Sequence, residues 1–255
     1  ALSALDYFAL EIKNHGAKLT HAFATSAFRN AANGEGLKKQ IRDRTGITIE
    51  IISGEKEAEL IFTGVDVAVN VGSSPSLVMD IGGGSVEFII GTRQNIIWRR
   101  SFEIGAQRLV DLYHKSDPIN ISDVHKLNNY LEGELRSLFE NLNKWQPRSL
   151  IGSSGTFDTL SDIYCLENGL DKRDEDKESP LTLQAVNIIH HNIIRKDRAS
   201  RMQIPGMIEL RVDMIVVASC LLNLIIENYK FDNIRVSTHA LKEGVLAELL
   251  KEELK

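Results

Sequence analysis

Cysteine is scarce in this chain: Cys165 and Cys220 are the only two, and Cys220 lies inside the apolar run Met214 to Ile226, where a small buried thiol is the ordinary state. A chain that leans so little on cysteine fits a reducing compartment, and a cytoplasmic protein is expected. Long hydrophobic runs are missing too. The run around Cys220 is the most apolar stretch, but it includes Ser219 and Asn223 and falls short of the roughly 20 residues a bilayer requires. It reads as a core helix, and no membrane partner is expected. Nor is there an excess of positive charge. The 30 Lys and Arg are intermixed with 35 Asp and Glu, for a net charge of -5, so no basic stripe invites nucleic acid. An anionic ligand must therefore be held locally, by backbone amides, a metal and a few cations. A secretory signal is lacking, and the chain begins at Ala1 in what reads as the middle of a helix, so this start is expected not to be the natural one.

What is present is a folded composition, 43% hydrophobic over 255 residues, enough for one large domain or two smaller ones. The stretch Leu77 to Gly91 organises it. An apolar run ends in Asp80, the glycines Gly82, Gly83 and Gly84 follow, and after Ser85 a second apolar run carries Glu87. This predicts strand, tight turn, strand. Three glycines permit positive φ and leave the turn amides uncovered, which suits close approach of a phosphate, and Asp80 and Glu87 are placed to reach a cation bridging such phosphates. The plain alternative is a hairpin whose glycines serve only the turn.

Along the chain, Leu2, Leu5, Phe8, Ala9 and Ile12 space a helix, and Leu19 to Thr25 alternates as a strand. Ser26 is placed to cap a short helix carrying Arg29, whose forked donors suit phosphate, although a surface arginine fits the same position. A helix over 37–44 stopping at Gly46 and a strand over 47–52 lead to Ser53, which opens a capping pattern. Glu55, Glu57 and Glu59 follow, acids that a helix first turn favours in any case, so composition does not separate Glu57 from its neighbours. A strand over 95–102, a helical turn after Glu103, and one long helix capped by Ser122 and running through Leu142 come next. Ser149 to Thr156 repeats strand into small-residue turn, with Ser154, Gly155 and Thr156 opening a helix whose free amides face an anion. The charged stretch 171–178 reads as a solvated loop. His190 and His191 point in different directions on a helix and are not expected to bind metal. Ile204-Pro205-Gly206 is a turn near which Glu209 or Arg211 is expected to pair, and a strand over 233–237 and a helix from Leu241 close the chain. Strands and helices alternate around a central hairpin, predicting an α/β architecture with mixed sheets.

Taken in order, Ala24 to Ala31, Ile52 to Ala58, Asp80 to Glu87, Gly152 to Thr156, Ile204 to Gly206 and Leu241 to Val245 resemble the exopolyphosphatase and guanosine pentaphosphate phosphatase family over essentially the whole chain. The resemblance implies the actin-like, ribonuclease H-like two-domain fold shared with sugar kinases and heat-shock ATPases, with an active site in the cleft between domains. It divides the chain into a remainder of domain I at 1–66, to which 241–255 returns, and domain II at 67–240. It implies hydrolysis of a terminal phosphoanhydride of polyphosphate or pppGpp with Mg²⁺, in a homodimer. Glu57 becomes the general base, Asp80 and Glu87 the acids near the metal, and Gly82, Gly83, Gly84, Ser85, Ser154, Gly155, Thr156 and Arg29 the phosphate site. The family's first phosphate loop, of Asp-Ile-Gly-Ser-Asn-Ser type, has no counterpart in these residues, so poor turnover is expected of this segment by itself. The chain stops where longer relatives continue into a helical domain. A non-hydrolytic phosphate sensor and a kinase are the rivals from other classes, and a base at Glu57 argues against the sensor.

Overall fold

The computed structural model describes residues 2–173 and 175–253, and the chain divides into two compact units, Ala1–Glu57 and Ala58–Lys255. In the first, helix α1 (Leu2–Asn14) precedes strand β1 (Ala22–Ala24), the short helix α2 (Ser26–Asn30), helix α3 (Gly34–Thr45) and strand β2 (Ile49–Ile51). β1 and β2 pair in parallel, Ala22 opposite Ile49 and Ala24 opposite Ile51. The spaced residues Leu2, Leu5, Ala9 and Ile12 of α1 pack on a small core of Ala24, Ile41, Ile47 and Ile49. α3 stops at Gly46 as predicted, because Gly46 adopts φ 75° and its N–H closes on the Arg42 carbonyl. Both strands are shorter than the alternation suggested, since only three residues of each find a partner. Ser26 is not the cap of α2 but its first residue. Thr25 holds the cap position without a side-chain bond, and the Ser26 hydroxyl accepts from Asn30 Nδ2 at 3.1 Å.

Helix α4 (Gly54–Val69) begins at the end of the first unit and continues in the second. It is followed by strands β3 (Ser76–Ile81), β4 (Val86–Thr92) and β5 (Asn95–Phe102), and by helices α5 (Ala106–Tyr113), α6 (Ile121–Glu134) and α7 (Arg136–Trp145). Strand β6 (Ser149–Ser153) leads into α8 (Ser154–Asn168), then β7 (Glu178–Ser179), α9 (Leu183–Ile194), α10 (Arg198–Arg201), α11 (Met214–Asn228), β8 (Asn233–Ser237) and α12 (Leu241–Glu253). The sheet order is β5-β4-β3-β6-β8-β7. β5, β4 and β3 form an antiparallel meander, while β6 and β8 extend it in parallel, reached through helices. This is the α/β architecture with a mixed sheet that the sequence predicts.

Strand periodicity explains the two-sided burial. Leu77, Met79 and Ile81 of β3, with Val86, Phe88 and Ile90 of β4, enter one large core that includes α11. The intervening Val78 and Ile89 face Ala58, Ile61 and Val65 of α4 on the opposite side. α11 is buried from Ile215 to Ile225, and no helix among the described residues is long and apolar enough to cross a membrane. The predicted long helix from Ser122 is instead two. Asn120 takes the cap, its side chain accepting from the Asp123 amide at 2.8 Å, and the helix interrupts at Leu135, yet Leu127, Leu131, Leu135, Leu138 and Leu142 all stay fully buried. α12 crosses α4 with backbones in contact: a Cβ on Gly244 would lie 1.8 Å from the Leu60 carbonyl oxygen, and one on Gly64 2.0 Å from that of Ala240.

Candidate active site

In the first unit the chemistry gathers on Arg29 and Glu57. Ser53 caps α4 as expected, its Oγ accepting from the Lys56 amide at 3.1 Å, and the first turn thereby sets three acids apart. Glu55 is exposed, Glu59 is partly exposed, and Glu57 is buried. Arg29 near the end of α2 donates Nη1 to Glu57 Oε2 at 2.7 Å and to the Ile52 carbonyl at 3.1 Å. The arginine is thus neither a surface group nor aimed away from the acids; one of its terminal nitrogens, Nη1, holds one oxygen of a single carboxylate.

In the second unit the glycine turn departs from expectation. None of Gly82, Gly83 and Gly84 adopts a left-handed φ. The turn is shaped by the next segment instead. The amides of Gly105, Ala106 and Gln107 donate to the carbonyls of Gly84, Gly82 and Gly83 at 3.2, 2.9 and 2.9 Å. With its carbonyls drawn onto the start of α5, the turn leaves the amides of Gly83, Gly84 and Ser85 without an acceptor among the described residues. Such a row of free amides is an anion cradle. The residue that cannot carry a Cβ is Gly105, where one would meet Gly84 C at 2.3 Å and Gly83 C at 2.4 Å. Its sequence signal was slight, a single glycine before a helical pattern.

Asp80, the penultimate residue of β3, lies opposite Glu87 in the antiparallel ladder and opposite Ser153 in the parallel one. Directly opposed antiparallel residues project on one face, which puts two buried carboxylates side by side. Asp80 Oδ2 accepts from both Ser153 Oγ at 2.7 Å and Ser154 Oγ at 2.5 Å, and Glu87 Oε1 accepts from Ser101 Oγ at 2.6 Å. Burial pushes the Asp80 carboxyl above the usual carboxylate range, against the pull of the two hydroxyls and the Arg211 charge. Ser154 reaches Asp80 from a left-handed backbone, φ 69°, uncommon for serine.

Ser154, Gly155 and Thr156 open α8, whose cap residue Ser153 makes no side-chain bond to the helix amides. The positive end of a fifteen-residue helix is therefore available to an anion. Over it lies Arg211: a Cβ on Gly155 would stand 2.2 Å from Arg211 Nη2, and Arg211 Nε is buried without an acceptor among the described residues. Arg211 was expected only as an ion-pair candidate beside Glu209; it is Glu209 that pairs, with Arg198 at 3.2 Å. Asp158, also missed, stands one turn into α8, and burial pushes its carboxyl up while Lys172 opposes. His190 lies away from these groups, its Nδ1 3.0 Å from Ser219 Oγ.

The fold and these groups define a mixed α/β protein in which a row of backbone amides lies on the same domain as a pair of buried acids. The chain belongs to the Ppx/GppA phosphatase family, whose model matches residues 1–253. A guanosine-5'-triphosphate,3'-diphosphate pyrophosphatase of Pseudoalteromonas translucida is 30% identical over 90% of this chain and 44% of its own. Exopolyphosphatase 1 of Mycobacterium tuberculosis is 26% identical over 99% of this chain and 73% of its own. The crystal structure of an exopolyphosphatase from Cytophaga hutchinsonii superposes with a TM-score of 0.95 at 41% identity, covering 98% of this chain and 81% of that one. The chain spans about half the length of the guanosine pyrophosphatase relatives, 48% and 44% of two of them.

Proposed function

We propose that the protein releases the terminal phosphate of inorganic polyphosphate by in-line attack of water. The observation that carries the reading is the glycine turn, whose carbonyls accept from residues 105–108 while three consecutive amides, those of Gly83, Gly84 and Ser85, have no acceptor among the described residues. Phosphoryl transfer asks mainly for positioning and charge neutralisation, and the amides of Gly83, Gly84 and Ser85, the start of α8 and Arg211 supply both. Glu57 takes the proton of the attacking water. Arg29 donates to Glu57 Oε2 and so orients that carboxylate for the task.

Asp80 and Glu87 are the residues that would hold Mg²⁺. The two are buried and directly opposed across the β3–β4 ladder, a donor set that fits an ion taking one or two protein carboxylates and completing its shell with phosphate oxygens and water. When bound, Mg²⁺ would offset charge on the phosphates.

The 41% identity to an exopolyphosphatase favours polyphosphate, whereas the guanosine pyrophosphatase relatives favour pppGpp on the same site. Phosphate release by the whole protein from long polyphosphate and from pppGpp, each with Mg²⁺, separates the two. Preference for polyphosphate is expected; release from pppGpp alone would replace the substrate, and release from neither would overturn the reading.

A further inference from the structure

Arg201, the last residue of α10, has no solvent exposure and no part in the chemistry above. Burying a guanidinium is costly unless every donor is used, and an apolar side chain of similar volume would serve packing better. Here four of the five N–H donors are used. Nε donates to the Val212 carbonyl at 2.9 Å, Nη1 to Asp117 Oδ1 and the Lys196 carbonyl, both at 2.6 Å, and Nη2 to Asp213 Oδ1 at 3.3 Å.

These bonds close the irregular segment 202–213 on itself. One end is Arg201; the other is the carbonyl of Val212 and the side chain of Asp213. The middle is pinned separately, since Gly206, at φ 88°, packs so closely on α8 that a Cβ would meet Ile163 N at 2.7 Å. Arg211 is the residue immediately before the clamped carbonyl, and its guanidinium rests on Gly155 with Nε buried and unsatisfied among the described residues. A long cationic side chain left in that state needs a backbone that does not yield, and the fork of Arg201 supplies it where the compact head of lysine would not.

We infer that Arg201 is a positioning residue: through the Val212 carbonyl it fixes Arg211 over the start of α8 and so sets how tightly that end of the chain grips a phosphate compound. This rests on the phosphate-binding reading given above. The test compares Arg201→Lys, Arg211→Ala and the double variant, with inorganic tripolyphosphate as the probe. Arg201→Lys is expected to weaken tripolyphosphate binding about tenfold, the scale of one lost charge-assisted bond, and to add nothing once Arg211 is already alanine. Independently of any ligand, the Nε–H resonance of Arg211, assigned by its loss in Arg211→Lys, is expected to exchange with water about tenfold faster in Arg201→Lys. An unchanged Arg211 resonance, or losses in the two single variants that multiply in the double, would make Arg201 a merely structural group. If wild type does not bind tripolyphosphate the phosphate reading fails, and the resonance still decides the positioning role. Should Arg201→Lys not fold, Asp213→Asn releases the same end of the segment and is read in the same two ways.

Discussion

Arg29 and Glu57 share a hydrogen bond of 2.7 Å although 28 residues separate them, and their side chains are only 16% and 9% exposed. A carboxylate so buried is tolerable because the guanidinium accompanies it, and that pairing singles out one glutamate among three in the same helical turn. Glu57→Gln is expected to retain tripolyphosphate binding while lowering turnover about 10²–10⁴-fold, the usual yield of a positioned base. Arg29→Met should also lower turnover, and the double variant should be little worse than Glu57→Gln, because the arginine acts through the carboxylate. Steady-state rates of the three variants check this; turnover unchanged in Glu57→Gln removes the residue from the role.

Gly105→Ala places a methyl group against the Gly83–Gly84 peptide. Overpacking of this kind costs about 1–3 kcal/mol and here falls on the turn that presents the amides. A lowered melting temperature together with at least ~10-fold weaker tripolyphosphate binding is expected, whereas Gly133→Ala, with open space around it, should leave binding unchanged and, as a helical glycine made alanine, should not lower the melting temperature. Calorimetric titration of both variants compares them.

His190 is buried between α9 and α11, and burial, helped by the neighbouring His191, pushes its pKa down to about 4. The folded value lies below that of the unfolded chain, so the unfolded state takes up the proton first. Stability is intact above about pH 6.5 and falls as pH is lowered from there towards 4, by about 3 kcal/mol in all. Urea unfolding across that range measures the loss, and His190→Gln should flatten it.

At the crossing of α12 on α4 there is no room for a side chain. Gly244→Ala would drive its Cβ into the Leu60 carbonyl and is expected to destabilise the protein by about 1–3 kcal/mol or more, seen as a drop in the thermal midpoint. A variant as stable as wild type would show that the helices separate freely.

Much of the protein was settled by the sequence itself. Apolar spacing fixed α1 and α11, Gly46 the end of α3, and the alternation around Asp80 the hairpin β3–β4, because each depends on residues only a few positions apart. The order of six short motifs sufficed to place the chain in its family. Tertiary structure alone decided the rest. It determined that the glycine turn takes its shape from Gly105 rather than from left-handed glycines, that Arg211 lies on Gly155, that Arg29 selects Glu57, and that Arg201 clamps the segment between. Each of these joins residues distant in sequence through hydrogen bonds or close contact. No local pattern encodes such a meeting; only the packing of sheet and helices brings the partners within reach.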